Sequence, residues 1–269
     1  MYINEQYRDL ALTENIRCRR IAPDGRRDTA QPPVLREHVL DVYVNDILTM
    51  KLICIPQFLA ELVLGRLLTE GIICGIEDVE GVYVCEYGKR AKVFLKNSAA
   101  AKSGAYVENT PSCCTGNHIL NDYFIHYENV RPVRPILWEA GWVLQLAEEF
   151  KKDTPLHAMT GATHSCYLSQ NGSLLFQCED IGRHNALDKV IGYALRNGID
   201  LTGCIAYTSG RIPTDMAMKA IRAGIPVLAG KAAVTAEAVH LAEEYQLTLV
   251  RASAGGLELY TGQGPRETV

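Results

Sequence analysis

The chain is 269 residues long, with 48% hydrophobic and 22% charged residues, the proportions of an ordinary soluble domain, which excludes disordered and collagen-like chains. At roughly 150 residues per domain, the length fits one large domain or two modest ones. With 27 Lys plus Arg against 31 Asp plus Glu the formal net charge is -4, a field that disfavours nucleic acid and anionic membrane, so an anionic ligand has to be held by a local site.

The first ten residues carry Glu5, Arg8 and Asp9 and lack the apolar core of roughly 7–15 residues that a secretory signal uses, so a cytoplasmic protein is expected. Arg17, Arg19, Arg20, Arg26 and Arg27 surround Pro23, Asp24 and Gly25 and read as an irregular basic segment. From Val39 the pattern predicts a hairpin turned at Asn45-Asp46. A helix follows, with Pro56 in its first turn, Phe58, Leu59, Leu62, Val63 and Leu67 at helical spacing, and Gly71 at its end. Leu52 to Leu68 is strongly apolar, but Pro56, Gln57, Glu61 and Arg66 break it short of the ~20 residues that span a bilayer, so no membrane segment is predicted. A second hairpin pairs Gly81 to Cys85 with Ala91 to Leu95. Residues 97–117 lose all periodicity and predict a long loop, of the kind that is often functional, and this loop holds Cys113 and Cys114.

Trp138, Trp142, Leu146 and Phe150 mark an amphipathic helix. Then come a hairpin turned at Asn171-Gly172, a helix over Asn185 to Arg196, a strand over Cys204 to Thr208 and a helix over Thr214 to Ala223. Ile225 to Leu228, Ala236 to Tyr245 and Leu247 to Arg251 add strand, helix and strand, which predicts a mostly parallel sheet covered by helices. Residues 1–135 therefore read as a smaller N-terminal α+β part that includes the cysteine loop, and residues 136–269 as a C-terminal α/β domain.

Open α/β sheets bind ligands beyond the carboxyl ends of their strands. Ser209, Gly210 and Arg211 follow one strand, Lys231 follows another, and Ser253, Gly255 and Gly256 follow a third, each a candidate anion contact or an ordinary turn. Glu179-Asp180-Ile181-Gly182-Arg183-His184-Asn185 packs two acids, an arginine and a histidine before a helix. It is either an anion-holding or proton-handling site with His184 as the titrating group, which His164 could face, or a cap by His184 or Asn185 with Asp180 and Arg183 paired structurally. His38, His126, His157 and His240 lack such surroundings. Nine cysteines, an odd number and too dilute for a disulfide scaffold, are expected to be reduced. Cys18, Cys54, Cys74, Cys85, Cys166, Cys178 and Cys204 lie in or beside apolar stretches and are expected to be buried and inert. Cys113 and Cys114 sit among polar residues, where a thiolate can react, and adjacent cysteines are poorly spaced to grip one metal, so no metal site is predicted.

Leu67-Leu68-Thr69-Glu70-Gly71-Ile72-Ile73, Glu179 to Lys189, Thr208-Ser209-Gly210-Arg211 and Ala223-Gly224-Ile225-Pro226-Val227-Leu228 together resemble the FdhD family, the formate dehydrogenase accessory sulfurtransferases, in order and spacing from about Arg36 to Tyr260. The resemblance implies a homodimer whose C-terminal part is a three-layer, cytidine-deaminase-like α/β domain. The P-C-x-x-C zinc signature of a deaminase is absent, which sets that activity aside. It further implies that sulfur is accepted as a persulfide from a cysteine desulfurase and passed to a bound molybdenum cofactor, bis-molybdopterin guanine dinucleotide, with formate dehydrogenase as the client. Cys113 matches the family's persulfide carrier. The family's loop commonly reads S-C-G-x-C-G, whereas Ser112-Cys113-Cys114-Thr115-Gly116 displaces the second thiol to Cys114. The family's cofactor-binding segment falls on Ala252, Ser253, Ala254, Gly255, Gly256 and Leu257, which here lacks aromatic and basic residues. A guanine-nucleotide-type ligand held by that segment with Arg183, His184, Ser209, Gly210, Arg211 and Lys231 is the expected arrangement. The second reading is a non-catalytic carrier or chaperone of the same cofactor, with incidental cysteines, and a third is a thiol hydrolase that uses Cys113 with a histidine.

Overall fold

The structure, a computed structural model, describes residues 1–4, 7, 9–96, 118–119, 130–253 and 255–266, so Cys113, Cys114 and Ala254 lie outside the described residues. In the N-terminal half, β6 (His38–Val44) and β7 (Ile47–Cys54) form the predicted hairpin, with Asn45 and Asp46 at φ 48 and 64, the left-handed pair that a tight two-residue turn requires. β8 (Val79–Val84) and β9 (Arg90–Leu95) make the second hairpin. With β1 (Tyr2–Asn4) and β10 (His118–Ile119) these strands give a six-stranded sheet in the order β1-β8-β9-β6-β7-β10. The basic segment read as irregular is instead a hairpin of β3 (Cys18–Ile21) and β4 (Arg27–Ala30), because Pro23-Asp24-Gly25 supplies its turn and Asp24 binds both the backbone N–H and the side chain of Arg26. A short pair joins β2 (Thr13–Asn15) to β5 (Pro33–Leu35).

The second six-stranded sheet has the order β12-β11-β13-β14-β15-β16. Its strands are β11 (His164–Gln170), β12 (Ser173–Asp180), β13 (Cys204–Thr208), β14 (Val227–Gly230), β15 (Thr248–Ser253) and β16 (Gly256–Leu259). Only β13 with β14 and β14 with β15 run parallel, so the predicted mostly parallel sheet is mixed. The hairpins β11–β12 and β15–β16 flank the parallel core, since a two-residue turn returns the chain antiparallel. Alternate residues serve opposite faces. Cys204, Ala206, Leu228 and Leu249 pack with α4 (Arg183–Asn197), α5 (Thr214–Arg222) and α6 (Ala236–Glu244). Ile205, Tyr207, Val227, Ala229 and Val250 pack with Trp138, Val143, Leu146 and Ala147 on and before α2 (Ala140–Lys151). This half is thus a three-layer sandwich. No helix among the described residues is long and apolar enough to cross a membrane.

α1 (Leu59–Thr69) joins the halves, and all eleven of its residues are buried, as an almost wholly apolar helix requires. It starts after Pro56, not at it, with Phe58 at φ 55 ahead of its first turn. It meets α4 backbone to backbone: a Cβ on Gly65 would stand 1.8 Å from the Asp188 carbonyl oxygen, and one on Gly192 would stand 1.8 Å from the Glu61 carbonyl oxygen. Buried ions flank the crossing. Asp188 lies 3.0 Å from Lys219 and 3.5 Å from Arg66, and Glu61 pairs with Arg196 at 2.6 Å.

A second tie is the fully buried pair of Asp180 and Lys189, 2.6 Å apart. The Asp180 carboxylate also accepts from the Ile55 and Gly182 N–H groups and from Asn185 Nδ2, which donates in addition to the Ile53 carbonyl at 2.7 Å. Lys189 spends its remaining donors on the Ile55 and Glu179 carbonyls. Burial opposes the ammonium form, and the charge and hydrogen bond of Asp180 together with the Cys178 and Cys54 thiols overcome it, holding Lys189 above the usual lysine range. The structural alternative read from the sequence is therefore corrected: Asp180 pairs with Lys189 and not Arg183, and neither His184 nor Asn185 caps α4, whose first residue is Arg183 and whose N-cap position is Gly182.

Two stability outcomes follow from these contacts. Gly65→Ala or Gly192→Ala forces the two helices apart and should cost about 3 kcal/mol in urea unfolding, whereas Gly198→Ala, which meets no atom, should cost only the strain of its left-handed φ of 65. Lys189→Met should cost about 3–5 kcal/mol by stranding a buried carboxylate, and adding Asp180→Asn to it should recover part of the loss.

Candidate functional site

The parallel strands β13, β14 and β15 end on one edge of the second sheet, and the segments after β13 and β14 border a cavity of about 520 Å³. Its lining includes Phe150, His157, His164, Ser209 and Lys231. α3 (Pro155–Thr160) closes one side, a helix with no counterpart in the sequence reading. It is held by Glu179, whose carboxylate accepts from the Leu156 N–H at 3.0 Å, the His157 N–H at 2.8 Å, the Thr163 hydroxyl at 2.9 Å and the Thr154 hydroxyl. One acid of the dense Glu179–Asn185 run thus anchors the cavity wall and the other seals the joint between the halves.

The predicted residues divide. Ser209 accepts from the Ser165 N–H at 3.0 Å, and its Oγ stands 3.0 Å from His164 Nδ1. Lys231 reaches over the Phe150 ring, its Nζ 5.7 Å from the centroid, a cation–π contact that leaves the ammonium open to an anion. Arg183, Gly210 and Arg211 stand next to the cavity and not in its lining; Arg183 lies behind Gly210, where a Cβ would meet the Arg183 Cβ and Cδ at 2.8 Å, so only glycine lets the turn close over this side chain. Arg183 is nine-tenths buried, its Nε has no hydrogen-bond partner, and no ion-pair partner faces it among the described residues. A buried guanidinium without a counter-ion is costly, and that cost disappears when an anion occupies the site. Arg211 is exposed on the same turn.

His184 is nearly buried and its Nε2 stands 2.8 Å from the Asp215 carboxylate. Burial lowers its pKa and the Asp215 hydrogen bond opposes this without cancelling it, so the ring is neutral near pH 7 and Nε2–H donates. It is a positioning contact between α4 and α5, outside the cavity lining. His164 is also held below the usual imidazole range, first by burial and then by the charges of Arg183, His157, His184 and Arg211. His157, set aside in the sequence reading, lines the cavity. Its Nδ1 lies 2.9 Å from the Thr163 carbonyl, which can only accept, so Nδ1 carries the proton and donates it there. The signal that pointed to it was Glu179, which only the fold connects to α3.

The segment from Ala252 to Leu257 is the tight β15–β16 turn on the same sheet edge, outside the cavity lining. Ala252 is buried and its carbonyl accepts from the Tyr207 hydroxyl at 3.0 Å, while Leu257 packs beside it, so these two serve the core. Ser253, Gly255 and Gly256 form the turn itself. Among the described cysteines, Cys54, Cys166, Cys178 and Cys204 are buried as expected, and burial raises every one of their pKa values. Cys18 and Cys74 are exposed and Cys85 is half-buried, a correction that follows from their places in a surface hairpin and in loops. No group of three or more His, Cys, Asp or Glu side chains arranged to hold a metal occurs among the described residues.

Known proteins share this chain's plan. Over 246 residues it is 32% identical to a protein named sulfur carrier protein FdhD in Listeria monocytogenes serotype 4b, covering 88% of this chain and 93% of that one. Proteins with the same name in Bacillus pumilus and Wolinella succinogenes are each 30% identical, covering 84% and 86% of this chain and 87% and 81% of theirs. The crystal structure of a formate dehydrogenase accessory protein from Desulfotalea psychrophila superposes with a TM-score of 0.77 at 25% identity, covering 94% of this chain and 98% of that one. A family model described as FdhD/NarQ matches residues 35–265, and on that span the chain belongs to the FdhD/NarQ family.

Proposed function

We propose that this protein is a cytoplasmic sulfur carrier accessory to formate dehydrogenase. Its Cys113 takes sulfur from a cysteine desulfurase and hands it to a molybdenum cofactor, bis-molybdopterin guanine dinucleotide, bound as substrate at the carboxyl edge of the second sheet. The relatives named sulfur carriers support the first half of this reading. The observation that carries the second half is Arg183, a largely buried side chain whose Nε has no hydrogen-bond partner and which has no ion-pair partner among the described residues, near a cavity lined by His157, His164, Ser209 and Lys231. This constellation suits the phosphates of a nucleotide, with Arg211 and the Ser253-Gly255-Gly256 turn available at the rim.

In the loading step the Cys113 thiolate attacks the outer sulfur of the donor's persulfide. One S–S bond forms, one breaks, and the donor leaves as a thiolate, so no external oxidant or reductant is consumed. Giving that sulfur up as sulfide takes two electrons, which a second thiol supplies by forming a disulfide, either Cys114 or an external reductant. The length of chain between Cys113 and β10 bounds how far the thiol can reach. His118 is five residues after Cys113, a span of about 17 Å when fully extended. β10 pairs with β7 at Met50 and Lys51, and β7 leads directly into Ile55, which binds Asp180 just ahead of Arg183.

Two measurements test this reading. After incubation with a cysteine desulfurase and cysteine, the wild type should gain sulfur by intact mass and Cys113→Ser should not, while Cys114→Ser should keep at least partial transfer. If a variant with both cysteines changed to serine still activates the client fully, the protein is a carrier of the cofactor and not of sulfur. Arg183→Met should weaken binding of a guanosine pyrophosphate diester by about 1.5–3 kcal/mol in calorimetry and should leave the unliganded protein at least as stable, since it removes an uncompensated buried charge. Unchanged affinity would take Arg183 out of the site.

A further inference from the structure

We propose that the anion enters this cavity together with a proton, which His164 takes up; the proposal rests on the anion-site reading above and adds to it a proton-linked ligand. Every element around the His164 ring was considered for a group that could already balance a charge there. From β13 and the turn after it come the neutral Ser209 hydroxyl, 3.0 Å from Nδ1, and the cationic Arg211. α3 contributes His157, and α4 contributes Arg183 and His184. Lys231, after β14, shares the cavity lining with His164. The nearby carboxylates are engaged elsewhere: Glu179 of β12 by four donors of and around α3, Asp180 by Lys189, Asp215 of α5 by His184, Glu149 of α2 by Lys152, and Asp153 by the Thr154 N–H.

His164 is therefore an imidazole among cations, hydrogen-bonded to a neutral hydroxyl, in a cavity whose missing element is negative charge. Empty, the site keeps the ring neutral near pH 7, as its lowered pKa reflects. A pyrophosphate placed between Lys231, Arg183 and His164 reverses the sign of the local field, and the protonated ring becomes a donor to it. The ring's pKa is then higher in the complex than in the free protein, so binding takes up a proton. Affinity should be greatest at low pH and fall as pH rises between those two values, by at most tenfold per pH unit. The other two histidines are less suited: His184 already has its carboxylate, and the Nδ1–H of His157 is committed to a backbone carbonyl.

The test is calorimetric titration of the full-length protein with GDP-mannose, a guanosine pyrophosphate diester whose own groups hold their charge between pH 6 and about 8, so that any proton bound belongs to the protein. At pH 7, in two buffers of different ionisation enthalpy, the observed heats should differ in the sense of net uptake of up to one proton. Affinity should decline from pH 6 to 8. His164→Asn and His164→Gln should still bind, without the uptake and with a flatter pH profile. His157→Gln and His184→Gln should retain both the uptake and the slope. Binding by the wild type with no buffer-dependent heat overturns the proton linkage and leaves the anion site standing. Absence of any binding overturns the anion-site reading itself. Uptake that survives both His164 variants and disappears in His157→Gln or His184→Gln overturns the assignment to His164.

Discussion

Asp180 and Lys189 make the contact on which both the architecture and the site depend. Each is sealed from solvent, and each has its hydrogen-bonding capacity spent: the carboxylate on Lys189, Asn185, Gly182 and Ile55, the ammonium on Asp180 and the carbonyls of Ile55 and Glu179. The backbone groups they hold belong to both halves of the chain, so the end of β7 and the start of α4 are positioned against each other by a few fixed bonds. Buried ion pairs add little net stability compared with well-packed apolar residues, and their geometry tolerates few alternatives. Here that selectivity fixes where α4 begins, and hence where Arg183 and His184 stand.

The crossing of α1 and α4 works with this pair. Backbone contact at Gly65 and Gly192 brings the helices close enough for Asp188, Arg66 and Lys219 to meet in a second buried cluster, in which the Thr69 hydroxyl donates to Asp188 and accepts from Lys219. One apolar core runs unbroken from Leu40 and Leu52 of the first sheet through Leu62 and Val190 to Ala206 of the second. A displacement in either half is therefore felt by the helix terminus that borders the site.

Charge is distributed unevenly in this frame. Carboxylates near α4 are committed to cations or to backbone donors, and the cations at the sheet edge are left without them. A chain of net charge -4 thus keeps a local positive site, which neither its total charge nor its composition reveals.

Much of the fold was legible in the sequence because local rules dictated it. Asn45-Asp46 and Asn171-Gly172 suit left-handed turn positions, Gly198 closes α4 with a φ of 65, and continuous apolar runs mark β13 to β15. The Glu179–Lys189 run and the glycine turns also single out Arg183, Ser209, Gly210 and Lys231. What local rules could not supply was partnership. Whether Asp180 pairs with Arg183 or Lys189, whether Glu179 faces a ligand or anchors α3, and whether His157 lies on a surface or in a cavity are decided by elements 16 to 125 residues away along the chain. The pattern of a strand or helix sets which face a side chain is on, and only packing of distant segments decides which charges meet there and which one is left without a partner.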